Sequence, residues 1–397
     1  MQLDLQRLLS GVATDSFDDG IRIDTELEPL AGAGGSVKPA VYEGGKYQED
    51  RRWASPEDSQ ATPVIVIDNV PSQANRLEAA LKQHRDASAP VPEFLLDLSE
   101  LSNLPAHLPR ELSSLEFPHR NADAYLRDAR LGGVDFIRTD LGQSIFGATA
   151  QTCGPLMAWF PQALLYGFWQ SHLGKKRQNT KHARAWVSEI VGWQPGATET
   201  RTFGLKGDAL NLNTDEQISS NAADRLDWGI GGQRVEGGKK DKLSETGHGQ
   251  VPFMGADAAA AAVSFARVTQ RATLSFAQLR RVSLGAGHSD AQDESARALL
   301  VALGLHAHIL AFGRGFALRS GAELRPKETR TEWLGADGDE RVDLGGPETT
   351  GTLLREALEH AKATGVPLDG WSAPAVVLTP KENLRKAIRS TWPDLDG

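Results

Sequence analysis

A chain of 397 residues, 40% hydrophobic and 24% charged, is sized for one large elaborated domain, and no apolar run reaches the ~18 residues that cross a bilayer. Cys153 is the only cysteine, which excludes an internal disulfide framework and a cysteine-based zinc cluster; with no basic-then-apolar leader, a reducing cytoplasm is expected. The net charge of −9 argues against a nucleic-acid ligand, yet residues 1–70 hold 13 acids and 6 bases, residues 332–397 hold 12 and 7, and the stretch between is +3.

Residues 21–42 read as a strand, with Ile21 and Ile23 alternating with polar neighbours, then a glycine-rich loop at 30–38, then Val41 and Tyr42. Residues 43–62 read as a polar excursion. The string VIVIDNVPSQANRLEAAL at 64–81 predicts a buried strand from Val64 to Ile67, a turn at Asp68, Asn69 and Pro71, and a helix capped by Ser72. Ala74, Leu77 and Leu81 then face the core, with Asn75, Arg76 and Glu78 turned away. A proline-rich connector at 89–109 contains a short strand at 95–98, and 112–129 reads as a turn into a helix. Residues 153–171, with Trp159, Phe160, Tyr166, Phe168 and Trp169, belong in the core. Residues 182–193 predict a strand that buries Val187, Ile190 and Val191.

The segment 204–249 is rich in Gly, Asn, Asp, Ser and Lys and cannot bury much apolar surface alone, so it reads as a projecting hairpin that orders on a ligand or on a neighbouring subunit. Residues 259–276 read as strand despite five consecutive alanines at 258–262. Residues 294–312 predict a largely buried helix ended by Gly313 and Gly315, and 316–319 a returning strand. Beyond 330 the chain turns acidic, with an amphipathic helix at 352–364, a short strand at 375–378 and a helix at 381–390.

Three stretches lack any acid. Residues 172–184 carry Lys175, Lys176, Arg177, Lys181 and Arg184; residues 258–289 carry Arg267, Arg271, Arg280 and Arg281; residues 296–322 carry Arg297, Arg314 and Arg319. Together they point to a groove for a polyanion, to which Lys206, Lys239 and Lys240 of the polar segment are added as candidates. Catalytic patterns are missing: no H-E-x-x-H, G-x-S-x-G or C-x-x-C occurs, and Cys153 has no identifiable base. His306 and His308, two apart on a helix, point roughly 200° from each other and cannot share a metal. No catalytic residue, metal or cofactor is expected.

Residues 72–78 (SQANRLE) resemble the "S-x-x-A-N-R-L-E" signature of the Cas-seven backbone subunits of type I-U (I-G) CRISPR Cascade, within the RAMP superfamily. Glu26-Leu-Glu-Pro-Leu-Ala-Gly32 resembles that family's entry string, LSSLEFPHR at 112–120 its "S-S-x-L-E-x-H-R" string, and 249–253 its "G-x-V-P-F" string. The stretches 155–171 and 310–324 are similar to two further family segments. In the loop after the first strand the family's arginine is absent, and Lys38 is taken as its substitute.

The resemblance implies an α+β fold with an RRM-like (ferredoxin-like) palm over 1–330. Inserted finger segments would occupy about 85–200, a thumb-like hairpin about 204–250, and an acidic extension 331–397. It implies a non-catalytic subunit that polymerises head-to-tail along CRISPR RNA and presents it for pairing with target DNA. Partners would be other copies, the RNA-end-binding and large Cascade subunits, and a recruited helicase-nuclease; no membrane is involved. RNA contacts fall to Lys38, Asn75, Arg76, Arg120, Lys175, Lys176, Arg177, Lys181, Arg184, Lys206, Lys239, Lys240, Arg267, Arg314 and Arg319. RAMP relatives that slice RNA carry an aspartate in the loop after the first strand, whereas residues 31–40 hold no acid. The alternative is a RAMP-type endoribonuclease that processes precursor CRISPR RNA, for which His119 beside Arg120 is the candidate acid or base.

Overall fold

The computed structural model describes residues 2–85, 87–101, 104–171, 180–196, 200–201, 210, 212–213, 215–221, 226–248 and 259–392. α1 (Leu5–Val12), capped by the Asp4 carboxylate, leads into β1 (Gly20–Pro29), where Ile21 and Ile23 are buried as their alternation predicts. β2 (Gln48–Arg52) lies within the stretch read as a polar excursion; its side chains are almost all exposed, so no apolar periodicity marks it. β3 (Thr62–Asp68) and α2 (Val70–Gln83) follow, and Val64 to Ile67 are all within 1% of complete burial.

Two details of α2 differ from expectation. Its cap is Asn69, whose Oδ1 accepts from the Ser72 amide, because the Ser72 hydroxyl is engaged with Asp68. Glu78, expected outside, is buried in an ion pair with Arg120. β4 (Phe94–Asp97), β5 (Glu111–Ser113), a short α3 (Ala124–Arg127), β6 (Ala129–Leu131), β7 (Val134–Asp135) and α4 (Asp140–Gly147) come next.

Then follow α5 (Gly154–Trp159), α6 (Pro161–Tyr166) and β8 (Phe168–Gln170), mostly buried, but Trp169 is 65% exposed. β9 (Thr180–His182) pairs back onto β8. β10 (Trp186–Pro195) buries Ile190 and Val191, while Val187 is exposed because Trp186 and Ser188 on either side of it point inward. Beyond it lie β11 (Thr200–Arg201), β12 (Gln217–Ser220), β13 (Trp228–Ile230), β14 (Lys239–Lys242) and β15 (Ala259–Ala260).

β16 (Phe265–Ser275), the short α7 (Phe276–Leu279) and α8 (Asp290–Phe312) match the reading of strand then helix. α8 opens with a reciprocal Ser289–Gln292 capping box and is buried along most of its length. It is long and apolar enough to cross a membrane by composition, but it forms the interior of this body. The returning strand begins later than expected: β17 (Phe316–Ala317) is two residues long, and β18 (Glu323–Gly335) is the full strand. Its outward residues Arg325, Lys327 and Arg330 hide the strand in sequence. β19 (Gly338–Val342), α9 (Pro347–Ala363), β20 (Val376–Pro380) and α10 (Glu382–Thr391) complete the order.

The largest sheet runs β17-β18-β1-β16-β10-β3-β2, with β19 on β18, and the pairs from β17 to β3 are antiparallel. β1, α2, β10, β16, α8 and β18 thus follow a β-α-β-β-α-β sequence whose strands lie in the order fourth, first, third, second, with β3 and β2 added outside β10. α8 packs against α2, α9, α1 and α6, and Gly304 lets the Trp186 ring approach so closely that a Cβ would lie 3.0 Å from it. The mixed α+β class is as expected. A second sheet, β5-β4-β20-β6-β7, is centred on β20 from the acidic C-terminal segment, and position 331 falls inside β18.

These elements make up one compact unit of Met1–Ala40, Glu49–Pro195 and Ser264–Gly397; Val41–Gln48 and Gly196–Val263 make up another. In the second, β12 sits between β13 and β14, and β11 pairs with β15.

Candidate nucleic-acid interface

Asp68, at the end of β3, is completely buried and gathers donors from two parts of the chain. Ser72 Oγ (2.8 Å), Gln73 Nε2 (2.6 Å) and Arg76 Nε (2.9 Å) reach it from the first turns of α2. Arg319 Nη2 reaches it from the loop before β18 at 3.1 Å. Arg319 Nη1 also donates to the carbonyls of Lys38 (3.0 Å) and Ile67 (3.1 Å), and Arg76 Nη2 donates to that of Leu318 (3.1 Å). One carboxylate therefore fixes the glycine-rich loop after β1, the start of α2 and the loop before β18. A buried carboxylate demands such pairing, and two guanidiniums on one anion leave net positive charge at the surface.

Lys38, Arg76 and Arg319 are thus brought together. Arg314 joins them, lining with Arg76 a cleft of about 310 Å³ beside Phe316. Asn75 is exposed on α2. Arg120 is turned inward, which corrects its reading as an RNA contact. Its Nε and Nη2 bind Glu78 at 2.7 and 2.8 Å, its Nη1 donates to Gly167 O at 3.0 Å, and its guanidinium lies over the Tyr166 ring. Its φ of 53° is a left-handed conformation unusual for a non-glycine residue, held by this buried pair. Burial pushes the Glu78 carboxyl up, and the Arg120 guanidinium beside it pulls it down.

Arg267 sits elsewhere, on the sheet face away from α8, with its guanidinium 5.2 Å from the Trp193 ring centroid. That face is a lattice of cancelling charges: Arg22 pairs with Glu332, Asp24 with Arg271, Arg52 with Glu189, Arg325 with Glu28 and Lys327 with Glu26. Its cleft of about 430 Å³, which includes the exposed Trp53, carries as many acids as arginines.

A larger cleft of about 870 Å³ carries no acid among its lining residues. Lys181 and Arg184 are exposed there, with His119 and Trp169. Strand alternation on the β8–β9 ribbon puts Phe168 and His182 inward, their rings 5.9 Å apart, and sets Trp169 directly opposite Lys181 on the outer face. His182 Nε2 sits 2.9 Å from Leu164 O, and burial holds its ring below the ordinary histidine value, so it stays neutral. The surrounding protein and, after it, the Arg120 guanidinium hold Arg184 below its ordinary value.

Lys239 and Lys240 are exposed on β14 of the other compact unit, opposite Ser220 and Ser219. Lys175, Lys176, Arg177 and Lys206 lie outside the described residues. Sequence reasoning missed Trp169 and the Asp68 cluster. The period-two pattern of Phe168, Trp169 and Gln170 signals the first; nothing local signals Arg319 as a partner of Asp68.

Other titratable groups are structural. Cys153 is buried, which pushes its thiol up to about 12. His306 is held between Thr350 Oγ1 (3.0 Å) and Ser88 Oγ (3.1 Å), and His308 packs on Trp186. Among the described residues no group of three metal-ligating side chains exists.

Residues 21–195 match the family model described as CRISPR-associated protein GSU0053. No curated protein matches the chain. The family match, which accords with the Cas-seven type, spans β1 to β10, including Asp68, Arg76, Trp169, Lys181 and Arg184.

Proposed function

We propose that this protein, whose residues 21–195 match that CRISPR-associated family, is a non-catalytic RNA-binding backbone subunit of a type I Cascade complex. In this reading copies of the chain stack head-to-tail along one CRISPR RNA and present it for pairing with target DNA. The remaining Cascade subunits and the helicase-nuclease join that assembly. The observation that carries the reading is the acid-free cleft holding Lys181 and Arg184 within the family-matched region of an otherwise acidic protein. Holding a polynucleotide without reading its bases needs cations that no carboxylate neutralises. The strand order fourth-first-third-second, with α2 and α8 as the crossover helices, supports an RRM-like palm. The unit containing 196–263 is then the thumb.

The chain's chemistry supports a binder over a nuclease. Loop 31–40 offers no carboxylate, and Asp68 beside it is saturated by side-chain donors. One observation favours a processing endoribonuclease as a second reading: His119 is exposed in the same cleft as Lys181 and Arg184. Purification under native conditions tests both. A backbone subunit brings down protected RNA of defined length and runs as a large particle that added RNA lengthens. Preparations free of RNA that also bind none would refute the first reading, and cleavage of precursor RNA that vanishes in His119→Ala would establish the second.

A further inference from the structure

Most of the Trp169 ring is in water, although tryptophan is among the most costly side chains to leave there. Its surroundings say what would cover it. Lys181 is its cross-strand partner on the same face of the ribbon, Arg184 follows two residues after the strand, and the cleft they line is free of acids. Neither cation has an ion-pair partner among the described residues. An apolar partner would strand both charges, and a simple anion would leave the indole face bare. A ligand that is at once a flat π-system and an anion satisfies all three side chains.

We infer that the β8–β9 ribbon is a base-stacking subsite, in which Trp169 stacks one unpaired base and Lys181 and Arg184 hold the adjoining phosphates. The inference rests on the RNA-binding reading and deepens it. Most of the strand is gripped by its backbone, and at this cleft one nucleotide of each protomer's footprint is held by its base. Only an unpaired nucleotide can present a free face, so the subsite discriminates single strands from duplex. Stacking is indifferent to which base is offered, so no sequence preference arises here.

The test uses the full chain, a fluorescently labelled short oligouridylate, a duplex of the same length, and the variants Trp169→Ala and Trp169→Phe. The expected result is a roughly five- to hundredfold weaker hold on the single strand in Trp169→Ala, near-recovery in Trp169→Phe, and little change for the duplex. The salt dependence of binding is unchanged in both, because the lost contact is not ionic. Equal single-strand affinity in wild type and Trp169→Ala overturns the subsite while leaving the RNA-binding reading intact. So does a loss confined to RNA-driven assembly, which would assign Trp169 to contact between copies. Failure of the wild type itself to bind oligouridylate removes both. The high exposure of Trp169 keeps these variants folded, and Trp169→Phe guards the comparison.

Discussion

Arg319 and Asp68 are 251 residues apart in the chain, yet the Arg319 guanidinium closes on the Asp68 carboxylate at 3.1 Å and on the Lys38 carbonyl at 3.0 Å. The contact joins the loop after β1 to the loop before β18, at the edge of the cleft that holds Arg314. Replacing Asp68 by Asn keeps the shape and removes the charge both arginines face. The expected cost is about 3 kcal/mol, since one partner of a buried pair is lost. Urea unfolding measures it, and a cost below ~1 kcal/mol would show that the cluster does not hold these loops.

The inward turn of Arg120 separates a structural arginine from an RNA contact. Arg120→Ala leaves the buried Glu78 uncompensated and is expected to destabilise the fold by about 3–5 kcal/mol. The double change Arg120→Met with Glu78→Leu should recover most of that loss, and RNA affinity measured on the folded double variant should match wild type. Weakened RNA binding in a stable double variant would return Arg120 to the interface.

Lys181 and Arg184 make the opposite case. Their joint reversal to Glu should leave the melting temperature near wild type, because both are exposed and neither closes an ion pair among the described residues. RNA affinity should fall, and the slope of log affinity against log salt should shrink by about 1.4 for two lost phosphate contacts on a single strand. An unchanged slope would take the cleft out of the phosphate track.

His306 and His308 are buried neutral, each held down to about 4 by burial. An unfolded histidine titrates near 6.5, so their contribution to stability is complete above that pH and is lost as pH falls from about 6.5 toward 4. Each histidine accounts for a loss on the order of 3 kcal/mol across that window. His308→Leu should flatten the loss relative to wild type in denaturant titrations at pH 7 and pH 5. A loss of equal size in both would exclude His308 as a source.

Local periodicity made the central fold legible. Ile21 and Ile23 marked β1, Val64 to Ile67 marked β3, and the apolar circumference of residues 294–312 marked α8. What escaped was set by partners distant in sequence. Glu78 looks like an outer-face residue until Arg120 arrives to bury it, and Ser72 looks like a cap until Asp68 engages its hydroxyl. β2 and β18 carry charged outward faces that cancel across the sheet, as in Arg325 with Glu28, and so mimic loop. In the candidate site, the acid-free run at 172–184 pointed to Lys181 and Arg184. The aromatic run beside it led Trp169 to be assigned to the core, because apolar composition cannot say which residue of a short strand faces out.

β20 lies between β4, its parallel neighbour, and β6, so residues 376–380 form the middle of a sheet whose other strands were translated far earlier. At ribosomal speeds of roughly 5–20 residues per second, β4 waits on the order of tens of seconds with one edge open. The backbone groups along the Phe94 to Leu96 edge that β20 will pair stay without their strand partner throughout that delay. Production of intact protein should therefore depend on chaperone supply and on slow, cool growth, and should respond to both more strongly than the stability of the finished molecule would suggest.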